Sequence, residues 1–166
     1  NNKSGQVFPE FPKQIQEFWG KLPANLDAVF TWGFDGNTYF FKDDQCWKYD
    51  EKRQGIAPGY PKNIGDLWKG VPNNIDSVFT YDRDGKTYFI KGKFYYRYND
   101  REKRVDRGYP KSFVQRFNNA PHNINSMFSY NYDNKTYIIR ADQYWVLNNK
   151  SEIASGYPKK VNTKFA

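Results

Sequence analysis

The chain contains 166 residues, the usual size of one domain and enough to bury a core of its own. No apolar run approaches the ~20 residues that a membrane-spanning helix needs, so a transmembrane protein is not expected. Aromatic residues make up 20% of the chain while the mean hydropathy is -0.98, so the core must consist mainly of Tyr, Phe and Trp. The formal charge of +8 favours acidic or polyanionic partners through long-range attraction.

The N-terminal segment divides into two parts. Residues 1–10 are polar and punctuated by proline, which predicts a loosely held tail. Residues 11–23 contain Ile15, Phe18 and Trp19 at the i, i+3, i+4 spacing of a short amphipathic helix, with Gly20 at its expected end. By its place in the repeat described below, this helix is predicted to be the end of a preceding unit.

The next stretch reads as three strands followed by a helix. Residues 26–31, 38–42 and 45–50 are short apolar or alternating segments, and the first of them is predicted to be a buried strand. Asp35 and Gly36 form a hairpin signal, so a turn explains them better than a calcium loop or a catalytic acid. Ile64, Leu67 and Trp68 then indicate a second short helix.

This pattern occurs three times with a nearly fixed period. Phe30, Phe79 and Phe128 stand 49 residues apart, and Gly-Tyr-Pro recurs at 59–61, 108–110 and 156–158. The units are assigned to residues 24–72, 73–121 and 122–166, with strands expected at 75–79, 87–91 and 94–99, and again at 124–128, 136–140 and 143–147. A period near 50 with several short strands in each unit predicts a radially repeated β-propeller.

The residues within the repeat point to a known family. Asp-Ala-Val-Phe or Asp-Ser-Val-Phe opens a unit, Asp-Gly-x-Thr-Tyr-Phe follows, and Gly-Tyr-Pro precedes a helix. In this order, over about residues 8–160, the chain resembles the hemopexin repeat and the C-terminal propeller domain of secreted matrix metalloproteinases. The resemblance implies an all-β fold, a hemopexin-like β-propeller with short helices between blades.

The chain departs from that family in two respects. Three blades of an expected four are recognisable, and Cys46 has no second cysteine with which to form the disulfide that often joins the first and last blades. We therefore expect either a piece of a longer protein or closure by association with another copy through open blade edges. A closed ring of three blades is less favoured, because propellers usually carry four to eight.

The resemblance implies an ion in a central channel. Innermost strands of such propellers surround calcium or sodium with backbone carbonyls, and chloride is a further candidate. The alternative is that the residues at these strand starts only cap loops. The expected ligands are the carbonyls of Asp27, Asp76 and Asn125, with those of Val29, Val78 and Met127 in the next layer.

A dense basic cluster in the second unit is the other candidate site. It suits sulfated glycosaminoglycans or acidic protein surfaces, whereas nothing in the sequence supplies the base readout that nucleic acid recognition needs. The alternative is a solvated rim that keeps the protein in solution. The cluster consists of Lys91, Lys93, Arg97, Arg101, Lys103, Arg104, Arg107 and Lys111.

Haem binding and catalysis have weaker support. His122 is the one histidine, so bis-histidine ligation of haem by one chain is excluded and His122 is more simply a loop residue. There is no His-Glu-x-x-His, no phosphate-binding glycine loop and no catalytic triad pattern, so this chain is not expected to be an enzyme. The larger aromatic residues are assigned to the core rather than to a ligand cage: Trp19, Trp47, Trp68, Phe117 and Trp145.

The sequence therefore predicts a secreted, non-catalytic module that binds extracellular proteins or sulfated polysaccharides. In a metalloproteinase such a module is an exosite that holds substrate near a separate active site. Three glycosylation sequons, at Asn2, Asn134 and Asn149, agree with secretion. Two alternatives stay open, a carrier of haem or another small ligand and a self-assembling structural unit.

Overall fold

A computed structural model describes residues 9–130 and 132–163 of the chain. Residues 1–8 of the predicted tail lie outside that range. The first helix, α1, covers Ile15–Trp19 and ends at Gly20, whose φ of 65° is readily adopted by glycine. Among the described residues no helix is long and apolar enough to cross a membrane.

Each repeat forms an antiparallel sheet. In the first blade β3 pairs with β2 on one side, while two short segments, β4 and β5, pair with successive parts of its other side. A short helix, α2, follows at Ile64–Leu67. The strands are β1 (Ala28–Thr31), β2 (Thr38–Lys42), β3 (Gln45–Asp50), β4 (Gly55–Ile56) and β5 (Lys62–Asn63).

The second and third blades repeat this arrangement. The second is followed by α3 at Phe113–Arg116 and the third by a short 3-10 helix at Val161–Thr163. The second blade contains β6 (Ser77–Tyr81), β7 (Lys86–Lys91), β8 (Phe94–Asn99), β9 (Arg104–Val105) and β10 (Lys111–Ser112). The third contains β11 (Ser126–Tyr130), β12 (Lys135–Arg140), β13 (Gln143–Val146) and β14 (Lys159–Lys160).

The expected all-β architecture with three blades is confirmed. The register is the same in every blade, since the Phe of the inner strand always faces the first Tyr of the next strand, as in Phe30 opposite Tyr39. The inner strands begin two residues later than predicted, because the residues ahead of them are used to cap a loop. The two-residue strands β4, β5, β9, β10 and β14 were not predicted.

Two aromatic cores lie between the blades. Between the first and second, Trp68 is fully buried, with the rings of Trp32 and Tyr39 centred 4.6 Å and 5.2 Å from its own. Between the second and third, Phe117 holds the same repeat position and is also fully buried. Trp47 and Trp145 are buried too, whereas Trp19 is only half-buried. These aromatic residues therefore build the core, as predicted.

The helix α1 covers the other side of the first blade. The Trp19 ring lies 5.2 Å from that of Phe40 and 4.9 Å from that of Tyr49, and Leu22 is buried beside them. Trp19 is 49 residues before Trp68, so α1 takes the place that α2 takes for the second blade. It does not cover the whole inner strand, because Val29 is 52% exposed. The prediction of a buried first strand was wrong there.

The single thiol is enclosed in the first core. Cys46 lies in β3 with no accessible surface, beside the Trp68 cluster. Burial raises the pKa of the Cys46 thiol to about 11. At neutral pH the side chain is therefore a protonated, apolar part of the packing.

Candidate functional site

The innermost strands of the three blades line one open cavity, at the place of the predicted central channel. β6 packs beside both β1 and β11, and the strands line a cavity of about 650 Å³. The structure brings all six predicted residues of this site to that one cavity. These residues are Asp27, Asp76, Asn125, Val29, Val78 and Met127.

The polar side chains at the strand starts are occupied by loop contacts. The carboxylate of Asp27 accepts a hydrogen bond from the Asp43 amide at 2.7 Å, and the Asn125 side-chain oxygen accepts one from the Ala141 amide at 2.7 Å. Asp76 accepts the Gly92 amide in the same way. An amide oxygen serves this purpose as well as a carboxylate, which explains why Asn replaces Asp in the third unit.

An ion in the channel would therefore depend on main-chain oxygens. Across residues 9–130 and 132–163, no group of three or more His, Cys, Asp or Glu side chains is arranged to hold a metal. Backbone carbonyls are oxygen ligands of the kind that calcium and sodium accept. The carbonyl ring thus stays a prediction, while the side chains of Asp27 and its counterparts have the capping role.

One mouth of the channel carries lysines as well as acids. Lys42 lies 3.0 Å from Asp27, and this hydrogen bond raises the pKa of Lys42. Lys91 lines the same mouth, where its ammonium donates to the carbonyl of Asn74. The structure thus separates Lys91 from the outer arginines with which the sequence groups it.

The outer face of the second blade holds the centre of the basic cluster. A shallow pocket of about 340 Å³ is lined by Arg97, Arg104 and Arg107 together with two acidic residues. Arg97 donates to Asp106 at 2.6 Å, and Arg104 lies 3.2 Å from Glu102. The hydrogen bond to Asp106 raises the pKa of Arg97. Three guanidinium groups face two carboxylates, so the pocket keeps a positive excess.

Other members of the predicted cluster lie around this pocket or away from it. Arg97 and Lys111 both lie over the ring of Tyr109, at 5.1 Å and 4.9 Å from its centroid. Arg101 and Lys93 are exposed. Lys103 instead reaches the first blade, where its ammonium lies over Trp32 and Phe34 at 4.0 Å and 3.3 Å.

Sequence reasoning missed the pair formed by Trp32 and Phe34. Their rings are 5.2 Å apart and nearly parallel, and the Trp32 indole N–H donates to Asp100 of the second blade at 2.8 Å. The available signal was their i, i+2 spacing past the end of an inner strand, which recurs at Tyr130 and Tyr132. This contact ties the first blade to the second.

Comparison with known proteins agrees with this architecture. The family model described as Hemopexin matches three successive segments, residues 26–73, 75–121 and 124–166. The chain belongs to the hemopexin family. His122, the residue weighed as a haem ligand, is exposed in the loop between α3 and β11.

Two curated relatives of this hemopexin-family chain are similar over single repeats. Matrix metalloproteinase-2 of Drosophila melanogaster is 35% identical over 54 residues, which is 32% of this chain and 7% of the relative. Vitronectin of Sus scrofa is 44% identical over 46 residues, which is 27% of this chain and 10% of the relative. The chain thus spans a tenth or less of the length of either.

Solved structures show the fold over nearly the whole chain. A plant albumin from Cicer arietinum that shows hemagglutination superposes with a TM-score of 0.74 at 20% identity, over 93% of this chain and 78% of that one. A Cicer arietinum lectin with two metal binding sites superposes with a TM-score of 0.68 at 22% identity, over 84% and 69%. At these identities the likeness establishes the fold alone.

Proposed function

We propose that this hemopexin-family chain is a secreted, non-catalytic module that binds extracellular macromolecules through the outer face of its second blade. The observation that carries the proposal is the pocket formed by Arg97, Arg104 and Arg107. The partner chemistry that fits it is a sulfated polysaccharide or an acidic protein segment. The names of the two relatives, a matrix metalloproteinase and vitronectin, support an extracellular setting.

The arrangement of the arginines favours sulfate or carboxylate groups. Arg97 is held by Asp106 and by the Tyr109 ring, so its guanidinium is already oriented before a partner arrives. Guanidinium groups bind sulfate and carboxylate in a bidentate manner. Arg107 of the same pocket and the neighbouring Arg101 are exposed and are available for further contacts with a polyanion. A chain of sulfate groups would therefore meet several guanidinium groups at once.

Secretion also agrees with the placement of two sequons. Asn134 lies exposed in the turn between β11 and β12, and Asn149 lies exposed after β13. Both positions are surface sites of the kind that carry N-linked glycans in secreted proteins.

We further propose that a calcium or sodium ion occupies the central channel. Its ligands would be the backbone carbonyls of Asp27, Asp76 and Asn125, whose strands line the cavity from three sides. The ion would join the three inner strands and so stabilise the arrangement of the blades. Isothermal titration of the chelator-treated protein with calcium tests this. The absence of heat and of any shift in the melting temperature would exclude calcium.

The binding proposal is tested by heparin chromatography of two charge-matched variants. Arg101→Glu with Arg107→Glu reverses two exposed charges, that of Arg107 in the lining of the pocket and that of Arg101, which precedes the lining residue Glu102. Lys52→Glu with Lys150→Glu reverses two exposed charges on the first and third blades. We expect the first variant to elute at least ~0.1 M sodium chloride earlier than the second. Equal elution of the two variants would mean that net charge alone governs retention, and the proposed site would be rejected.

A further inference from the structure

The third blade carries two asparagines within acceptor sequences for N-linked glycans. They are Asn134, in the turn between β11 and β12, and Asn149, in the loop after β13. A residue with a hydroxyl group stands two positions after each of them, as such an acceptor sequence requires. Both asparagines are exposed. The acceptor sequence at Asn2 lies outside the described residues.

The exposure of Asn134 follows from its place in the repeat. It stands at the tip of a hairpin, where the first two blades have Gly36 and Gly85. Both glycines are exposed although another blade follows each of them. All three residues have positive φ, at 53° for the asparagine and at 70° and 62° for the glycines, and asparagine adopts this conformation more readily than most side chains. A further blade after the third would therefore leave Asn134 in solvent.

The Asn149 side chain is held in one orientation that leaves its nitrogen free. Arg83 of the second blade donates to the backbone carbonyl of Asn149 and, at 3.2 Å, to its side-chain oxygen. The side-chain nitrogen, to which a glycan would be attached, donates no hydrogen bond within residues 9–130 and 132–163. A glycan there would preserve both contacts with Arg83. Glu51, at the same place in the first blade, is exposed with another blade after it.

The hydroxyl residues of the two acceptor sequences are buried, unlike the asparagines. Thr136 is 7% exposed in β12, and its hydroxyl lies 3.3 Å from that of Ser129. Ser151 is 5% exposed, and its hydroxyl lies 2.7 Å from that of Tyr81 in the second blade. An oligosaccharyltransferase recognises the hydroxyl residue together with the asparagine. Packing of the third blade on the second therefore closes the acceptor sequences.

We propose that Asn134 and Asn149 carry N-linked glycans that are attached before the third blade packs on the second, which rests on the secretion proposed above. The side-chain nitrogen attacks C1 of the first sugar of a lipid-pyrophosphate-linked oligosaccharide. The bond between C1 and the pyrophosphate oxygen breaks, and the lipid pyrophosphate leaves with the electron pair. The nitrogen gives up one proton to a base of the transferase. In the folded chain the glycans then stand on an exposed turn and an exposed loop.

The first test follows the whole chain into a secretory lumen. The chain, with Asn2→Gln and an added signal peptide, is translated in the presence of microsomes, and protection from added protease reports its entry. We expect two glycans that an endoglycosidase removes. Asn134→Gln and Asn149→Gln should each lose one glycan, and the double variant should lose both. A circular dichroism melt of each variant made in bacteria checks that the fold is kept.

The second test measures whether folding closes the sites. Folded chain made in bacteria, which carries no glycans, is incubated with purified oligosaccharyltransferase and lipid-linked oligosaccharide. Two peptides, of residues 130–140 and 145–155, serve as the unfolded reference. We expect the folded chain to be modified at least ~10-fold more slowly than the peptides, because its buried hydroxyls become accessible only by local opening.

Two tyrosine variants of the folded chain test the contact that closes the second site. Tyr81→Phe removes the hydroxyl that Ser151 contacts, and it should raise the rate at Asn149 by at least ~3-fold relative to the rate at Asn134. Tyr88→Phe is the matched control, because it removes a hydroxyl of the same blade that contacts Asp84 instead. It should leave the ratio of the two rates unchanged.

The outcomes separate this proposal from the binding proposal. Chain that is protected from protease but carries no glycan would overturn the assignment of the two asparagines. Equal rates for the folded chain and the peptides, or the same ratio of rates in both tyrosine variants, would overturn the order of glycosylation and folding. Heparin retention is measured on chain made in bacteria, so failure there would reject the arginine pocket and leave the glycan sites standing.

Discussion

The junction between the first two blades and the outer face of the third blade use the same positions of the repeat. At the junction Phe30 is 8% exposed and Trp32 is 6% exposed, because the second blade packs over them. In the third blade Phe128 is half-buried and Tyr130 is 38% exposed. The residue types are all aromatic, so the neighbouring blade and not the side chain decides how much surface is buried.

The first blade, at the opposite end of the row, shows the same dependence of burial on a neighbouring blade. Val78 and Met127 are 3% and 1% exposed because each packs against the preceding blade, whereas Val29 at the same position is 52% exposed. The helix α1 covers part of this first-blade face through Trp19. The covered junctions should therefore carry most of the stability, and the two ends should tolerate change.

The largest expected effect is at the centre of the first junction. Trp68→Ala should lower the free energy of unfolding by ~3–5 kcal/mol, because it leaves a cavity among fully buried rings. Trp19→Ala removes the same side chain from the half-buried end position and should cost only ~1–2 kcal/mol. Urea unfolding followed by circular dichroism measures both. Equal losses would contradict the view that the covered junction dominates.

The next largest effect is expected from alkaline pH, which should lower the free energy of unfolding through tyrosines buried at the two junctions. Burial raises the pKa of Tyr95 and of Tyr98 to about 12 in each case, and burial and a hydrogen bond to Asp35 raise the pKa of Tyr39 further. The unfolded chain thus loses these protons first, near pH 10, and the folded state binds more protons. The stability contributed by these tyrosines should be fully present below about pH 9 and should fall steadily towards pH 12.

The alkaline effect is measured by urea unfolding at a series of pH values. The thiol of Cys46 should contribute in the same direction, starting near pH 8.5 where an unfolded thiol ionises. Cys46→Ala serves as the control and should remove only the earliest part of the decline. A free energy of unfolding that rises between pH 9 and 11 would contradict the expected sign.

The loop caps at the strand starts should have an intermediate effect. Asp76→Ala removes the acceptor of the Gly92 amide and should cost ~1–2 kcal/mol. Asp76→Asn should cost much less, because Asn125 makes the equivalent contact in the third blade. If an ion is held by backbone carbonyls, Asp76→Asn should also keep calcium affinity within about 3-fold. A larger loss in calorimetry would point to side-chain coordination.

The smallest effects concern the aromatic residues that follow the inner strands of the first and third blades. Lys103→Ala should destabilise the chain by ~0.5–1 kcal/mol, because it removes the cation that lies over the rings of Trp32 and Phe34. Tyr132→Ala should leave the melting temperature unchanged within error, since that residue is 79% exposed. A comparable loss in both variants would mean that the third-blade pair already has a partner within the chain.

Local sequence patterns predicted the strands well, but they predicted the contacts of the side chains less well. β2, β3 and β8 begin and end at the predicted residues, because alternation and turn signals depend on nearby residues. The inner strands begin later than predicted, since Asp27 and its counterparts bind amides 16 residues further along. The residues of the basic cluster are only partly close together in space. The Lys103 side chain contacts the first blade, and the Lys91 side chain lies at the mouth of the channel.

The sequence by itself determined the repeat, the strand register and the family, because these depend on periodic residue types and local turn chemistry. In the sequence the six channel residues already stand at equivalent positions of the three repeats. Only the tertiary structure decided which aromatic residues are covered and which basic residues are held by carboxylates or rings. Those properties depend on the neighbouring blade, and equivalent residues such as Val29 and Val78 carry no local sign of it.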